Sequence, residues 1–494
     1  MHNVRGFVML LLSILVPILW GLLLLLLPEF KNRKALLAAT GLGLVVAAVL
    51  GLVTALNGAE LLLFSLGKNL DLYFRVDNMG KLFAAVVILV WVLSGIYAFE
   101  YMKHEKEEKR YFGFYVMVFG VLHGLVFSGN MVTFYLFYEL MTLLSAPLIF
   151  HNRSKEAIMG GLKYLFYSLF GAYMVLFGLF FLNKYAYTLN FVPGSVLDLS
   201  AVAGHEGLLL AAAFCMIIGF AVKAGMFPLH AWLPTAHPVA PAPASAVMSG
   251  IIVKMGVLGM IRVVYYIFGA DFIRGTWVQT TWLILSLITV FMGSMLAYRE
   301  KVLKKRLAYS TVSQASYILF GLALLHPQGM MGSLLHVVFH AIIKSCLFLS
   351  AGAIIYKTHK TDVDDLRGIG KEMPVAMWCY TFASAALIGI PPASGFISKW
   401  YLATGALDSG LGVFSWLGPV VLLTSALLTA GYLLPITVKG FLPGADYDYS
   451  TLQKKEPNLT MLVPLLIMAV LAVLLGVFPG ALTNFLSGVI AAVM

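Results

Sequence analysis

Long apolar runs separated by short polar loops repeat along the whole chain. Runs of about 18 residues or more are long enough to cross a bilayer, and they predict about fourteen membrane-spanning helices. The expected spans are 6–27, 35–56, 78–99, 111–128, 130–149, 158–183, 207–229, 241–268, 277–297, 305–325, 331–356, 373–408, 415–440 and 458–490. The fold class is therefore an all-α polytopic membrane protein. The first run is expected to be a retained span, being too long for a signal-peptide core and lacking a small-residue cleavage site before Pro28 and Glu29. After the second span the pattern changes to short runs on either side of Gly67. They predict a small hairpin of strands on the outer side within 58–77.

Two spans are interrupted. The seventh carries Lys223 and then Pro228; the twelfth carries Pro391 and Pro392 and then Lys399. Proline breaks a helix and frees carbonyls that lipid cannot satisfy, so each break must face protein or water. The breaks lie five spans apart, and an odd offset places them in opposite orientation. Interrupted spans at corresponding places in two halves point to the transport site of inverted-repeat transporters.

Composition supports the same class. Hydrophobic residues make up 61% of the chain and charged residues 11%, against roughly 25% charged in soluble domains. Mean hydropathy is +0.92. A net charge of +11 would suit nucleic acid, but the placement of the cations excludes that reading. They cluster on alternate short loops: Lys31 to Lys34, Lys103 to Arg110, Arg153 to Lys155, Arg299 to Arg306, Lys357 to Lys371, and Lys454 with Lys455. This positive-inside pattern predicts a cytoplasmic membrane protein with both termini on the non-cytoplasmic side. One loop on the basic side, His230 to Pro238, has no cation. The three cysteines, Cys215, Cys346 and Cys379, lie in apolar runs without a CxxC pair, so no iron–sulfur cluster, disulfide framework or zinc site is expected. The histidines lack partners at metal-ligand spacing, and no phosphate-binding glycine motif follows a strand. Neither a metal nor another cofactor is expected.

Charges inside the spans carry the candidate chemistry. A cation at bilayer depth costs roughly 2.5–3.5 kcal/mol on insertion scales, so it normally faces a functional interior. Glu139 lies within the fifth span; its bland reading is a neutral acid bonded to a neighbouring helix. Lys223 could instead snorkel from the break. Lys254 lies nearer mid-span, and Lys399 could cap a half-helix. His336, His340 and Lys344 recur every four residues and share one helix face. That face suits a hydrated route, because histidine titrates near physiological pH; the alternative is hydrogen-bonded packing. Lys163 starts the sixth span, where snorkelling is the simpler account. His123 reads as a packing residue. His230 and His237 flank Trp232 and Pro234 and suit either a proton inlet or a structured turn. The whole set fits ion transport, with protons alone or in exchange for sodium. A quinone-binding redox subunit and a structural membrane anchor are the alternatives.

The stretch from Phe220 through Lys223, Pro228, His230, His237 and Lys254 to Arg262 closely resembles the signature of the antiporter-like subunits of respiratory complex I, Mrp cation/proton antiporters and membrane-bound hydrogenases. His336 to Gly352, Gly395-Phe-Ile-Ser-Lys399, Phe137-Tyr-Glu139-Leu and Leu162-Lys163-Tyr164 resemble the family's eleventh-, twelfth-, fifth- and sixth-helix motifs. The resemblance implies fourteen helices with an inverted repeat of helices 4–8 (111–268) and 9–13 (277–440), flanked by 1–110 and 441–494. It implies a proton-translocating subunit without its own redox centre, acting with other antiporter-like and small hydrophobic membrane subunits. By motif match Glu139 would pair with Lys223, Lys254 would be the central relay and Lys399 the terminal one; Lys163 gains weight. Lys399 stands where some complex I subunits carry glutamate, and no long lateral helix follows, which suits an Mrp D-like or hydrogenase subunit. The His237-Pro-Val-Ala-Pro run is closer to hydrogenase or complex I subunits.

Overall fold

The computed structural model describes residues 2–448, 450 and 452–494, with the side chains of all but residues 2–5 among them. The chain folds as α1 His2–Leu26, α2 Arg33–Asn57, α3 Asn78–Tyr101, α4 Glu108–Val126, α5 Met131–Ile149, α6 Lys155–Tyr185, α7 Glu206–Ala224 and the short α8 Leu233–Val239. It continues with α9 Ala242–Phe268, α10 Trp277–Arg299, α11 Leu303–Ala323, α12 Pro327–Thr358, α13 Pro374–Ile388, α14 Ser394–Asp408, α15 Val413–Phe441, α16 Leu459–Val477 and α17 Gly480–Val493. A few one-turn helices link them. Eleven helices of the described residues are long and apolar enough to cross a membrane. Outside that set are α4 and α11, which carry more polar residues, and the interrupted pair α13–α14.

Burial sorts the helices into layers. The apolar windows of α9 and α12 are 100% and 94% buried, whereas those of α1, α2 and α15 are 33% buried. The last group exposes Leu19, Leu23, Val45, Val49, Leu423 and Leu427, as a lipid-facing surface requires. The centre is therefore built from the middle stretches of α9, α11 and α12, where a charge cannot reach lipid or bulk water.

The hairpin forms as expected: β1 Glu60–Ser65 pairs antiparallel with β2 Asp71–Arg75, with an irregularity between Leu62 and Phe64. The start of α5 holds it, since Asn130 donates to the Asp71 carbonyl (2.8 Å) and the Tyr73 N–H donates to Thr133 Oγ1 (2.9 Å). Asp77 caps α3 by accepting the Gly80 N–H at 2.7 Å. It also receives both terminal nitrogens of the buried Arg262, Nη2 at 2.8 Å. The Arg262 guanidinium lies between Phe191 and Tyr266, 4.6 Å from each ring centroid.

Two expectations are corrected. The last span is not one helix over 458–490. It ends at Val477, and a second helix starts at Gly480, because Pro479 supplies no N–H to continue it. Nor is His230 to Pro238 a loop: Leu233–Val239 is helical and mostly buried. The seventh crossing thus continues past its break, and His237 lies inside the protein.

Candidate functional site

Lys223 occupies the last turn of α7, which stops at Gly225 in the left-handed conformation (φ +78°). Glycine takes that conformation without a Cβ clash. The lysine is fully buried. Its Nζ donates to Thr142 Oγ1 (2.8 Å), Tyr164 OH (3.0 Å) and Ser168 Oγ (2.8 Å). An ammonium has three hydrogens, so this set saturates it. The Tyr164 ring centroid lies 4.3 Å away and adds a cation–π contact.

The expected direct ion pair with Glu139 is absent. Thr142, one turn further along α5, takes the contact position instead. Glu139 is half-buried, its Oε1 makes no hydrogen bond, and it remains an electrostatic neighbour of Lys223. The α6–α7 packing behind this nest is backbone to backbone. A Cβ added at Gly171 would lie 2.4 Å from the Gly219 carbonyl oxygen, and one at Gly219 2.5 Å from that of Gly171.

The second cluster lies on α9, α11, α12 and α14. A π-turn at Met248–Ile252 precedes Lys254, and such turns break the regular carbonyl ladder. Lys254 Nζ donates to the Ser249 carbonyl (2.6 Å) and lies 2.5 Å from His340 Nδ1. The His340 ring stacks on His336 with centroids 5.6 Å apart. His336 contacts Ser398 Oγ (2.9 Å) through Nδ1 and Gln314 Oε1 (3.2 Å) through Nε2. Tyr317 stacks on His336 at 5.6 Å, and Lys399 Nζ lies 5.2 Å from the same tyrosine ring. Lys399 donates to the carbonyls of Leu387 (2.7 Å) and Ile388 (2.8 Å), capping α13 at the break. Lys254, His340, His336 and Lys399 thus form one row. Lys344 lies off it, donating to the Leu307 carbonyl at 2.8 Å.

The first nest meets α9 at Gly256, where an added Cβ would lie 3.0 Å from Cβ of Lys223. Among the described residues no hydrogen bond joins Lys223 to Lys254. Lys163 does not snorkel; its Nζ donates to Thr235 Oγ1 at 3.0 Å, close to His230. Pro228 and Pro391–Pro392 lie at the two breaks, after α7 and after α13. Among the described residues no three His, Cys, Asp or Glu side chains converge as metal ligands would.

Sequence reasoning missed the neutral partners: Thr142, Tyr164, Ser168, Ser249, Gln314, Tyr317 and Ser398. One signal was available. The run Ser310-Thr-Val-Ser-Gln-Ala-Ser316 is far too polar for a lipid-facing helix, and all seven residues are buried.

The family described as NADH:quinone oxidoreductase/Mrp antiporter, TM, matches residues 128–429, and the one described as NADH-ubiquinone oxidoreductase (complex I), chain 5 N-terminus, matches 64–112. NADH-quinone oxidoreductase subunit N of Desulforudis audaxviator is 31% identical over 78% of this chain and 77% of its own length. Hydrogenase-4 component B of Escherichia coli is 32% identical over 82% of this chain and 62% of that protein. A chain of the membrane-bound sulfane sulfur reductase, an archaeal respiratory membrane complex, has the same fold, with a TM-score of 0.84 over 98% of this chain and 97% of that one, at 22% identity. The chain belongs to the NADH:quinone oxidoreductase/Mrp antiporter transmembrane family.

Proposed function

We propose that this chain translocates protons along the buried row as one subunit of a multi-subunit membrane complex. The single observation that carries the reading is the continuity of Lys254, His340, His336 and Tyr317, all buried, with Lys399, half-buried at the second break. Such a row of ionisable groups is a recurrent proton-relay device. Glu139 would stabilise the Lys223 charge at a distance. When Glu139 is neutralised, only neutral hydroxyls and rings hold that charge, and a proton can pass toward Lys254. Lys399, at the second break, would deliver it to the far side. Moving one charge across 100 mV involves about 2.3 kcal/mol, which is within reach of a few hydrogen-bond rearrangements.

The two breaks support an inverted repeat of 111–268 and 277–440, with 1–110 and 441–494 flanking it. The basic loops support a cytoplasmic membrane with both termini outside. Membrane proteins of related complexes are the expected partners, and sodium is a candidate counter-ion. In the intact complex in sealed vesicles, Glu139→Ala or Lys223→Ala should abolish coupled transport while assembly is retained. Normal transport in either variant would falsify the proposal.

A further inference from the structure

We infer that the basic face supplies protons to the row through a separate branch, from Glu105 and Lys304 past the ring of His237 to Lys344; this rests on the proton-relay reading above. A cavity of about 190 Å³ opens among the loops of that face, lined by Tyr101, Glu105, Asn152, Pro238, Lys304 and Thr361. It has room for several water molecules.

Lys304 marks its inner end. Its neighbours Lys301 and Lys305 reach outward and pair with Asp364 (3.0 Å) and Glu300 (2.8 Å). Lys304 turns inward although it stands in the first turn of α11, where a lysine could readily reach water. It is 7% exposed, and its Nζ donates to the carbonyls of Ala240 and Pro238, the latter at 3.2 Å. Glu105, at the mouth, is its electrostatic partner. Burial raises the Glu105 carboxyl above its ordinary value, against Lys304 and His104, which favours a group that can hold a proton.

Beyond Lys304 lies His237, which is fully buried, and neither ring nitrogen has a hydrogen-bond partner. Two unmet nitrogens on one buried ring are expensive in a purely structural residue. The ring stacks on Phe348 (4.6 Å, 17°), and Lys344 Nζ lies 5.8 Å from the Phe348 centroid. The charged groups acting on His237 are Lys304 and Lys344, one on each flank of the branch. From Lys344 the polar contacts continue. The Leu307 carbonyl accepts from both Lys344 and Thr311 Oγ1 (3.0 Å); Thr311 meets Ser249 Oγ at 2.7 Å, and the Ser249 carbonyl accepts from Lys254. Lys344, off the main row, thereby acquires a place: it joins the branch to Lys254.

A capping role for Lys304 at the end of α8 explains its two carbonyl contacts. It explains neither the cavity nor the free nitrogens of His237. Each step on the branch breaks one O–H or N–H bond and forms another. Water in the cavity protonates the Glu105 carboxylate, which passes a proton to a neutral Lys304 amine. His237 then accepts on one ring nitrogen and releases from the other to a neutral Lys344. No group is consumed.

The test uses the intact complex in sealed vesicles with proton uptake measured from the basic face. His237→Phe keeps the stacking on Phe348 and removes the nitrogens. It should reduce uptake by about a hundredfold, the usual worth of a positioned proton-transfer group, as should Lys304→Met, while Glu105→Asp retains transport. If His237→Phe keeps the full rate while Lys254→Ala is inactive, the branch is wrong and the relay stands. If both keep the full rate, the relay reading itself fails. Should His237→Phe not assemble, Asn152→Cys, in the lining of the same cavity, labelled with a membrane-impermeant charged thiol reagent decides the matter. Blocked uptake supports the branch, and full transport after complete labelling overturns it.

Discussion

Lys254 Nζ lies 2.5 Å from Nδ1 of His340, and its other contact is a backbone carbonyl, that of Ser249. A buried lysine held by an imidazole rather than a carboxylate has a partner that can itself take the proton. His340 Nε2 makes no hydrogen bond, and the ring stacks on that of His336, so the imidazole has a free nitrogen for onward transfer. His340→Phe should therefore reduce transport by about a hundredfold or more with normal assembly, read as proton uptake in vesicles. Unchanged uptake would show that the Lys254–His340 contact is packing only.

The Lys223 nest predicts a separation between stability and transport. Thr142→Val or Ser168→Ala leaves one ammonium hydrogen without an acceptor and should cost about 1–3 kcal/mol, visible as a lower thermal midpoint. Glu139→Gln breaks no direct contact and should cost less than about 1 kcal/mol while still impairing transport. A loss near 3–5 kcal/mol, as when a buried ion pair is broken, would mean that Glu139 contacts Lys223 after all.

Asp77 and Arg262 fasten the hairpin region to α9. Burial alone would raise the Asp77 carboxyl, but Arg262 and the Gly80 N–H outweigh it and hold the group below its ordinary value of 3.8. The folded value is depressed, so its stabilisation is fully present above the unfolded value. It is lost as pH falls through the folded one. Asp77→Asn should therefore accelerate amide exchange in β2 and at the start of α3 at neutral pH, and lowering the pH of the native protein below about 4 should do the same. Protection that is indifferent to both changes would remove Asp77 as a fastener.

Gly171 and Gly219 set the distance between the helices that form the Lys223 nest. Gly171→Ala puts a methyl group against the Gly219 carbonyl and should cost about 1–3 kcal/mol through overpacking. Gly207, also on α7, has no atom within 4 Å of an added Cβ. Gly207→Ala should fold normally, and equal thermal midpoints for the two alanine variants would contradict this packing.

Much of the site was readable as isolated charges. Glu139, Lys223, Lys254, His340, Lys344 and Lys399 stood out because charge is costly within apolar runs. What surrounds them did not stand out. Serine, threonine and tyrosine cost little anywhere, so Thr142 and Ser168 gave no signal of their own. Lys304 was hidden in a basic cluster in which Lys301 and Lys305 reach outward and pair with acids. His230 and His237 looked like members of one loop, but α8 separates them and sends His237 into the interior.

The membrane class, the order of the apolar helices and the two breaks were legible in the chain before folding. Each follows from local properties: run length against bilayer thickness, and proline against helix continuity. Partnership was decided only by tertiary structure. Whether Lys223 meets Glu139 or Thr142, whether Lys344 lies on the row or on a branch, and which face of α11 looks inward all depend on helix rotation and spacing. Those are set by close contacts such as Gly171 against Gly219 and Gly256 against Lys223. They join residues far apart in the chain, and no local pattern encodes them.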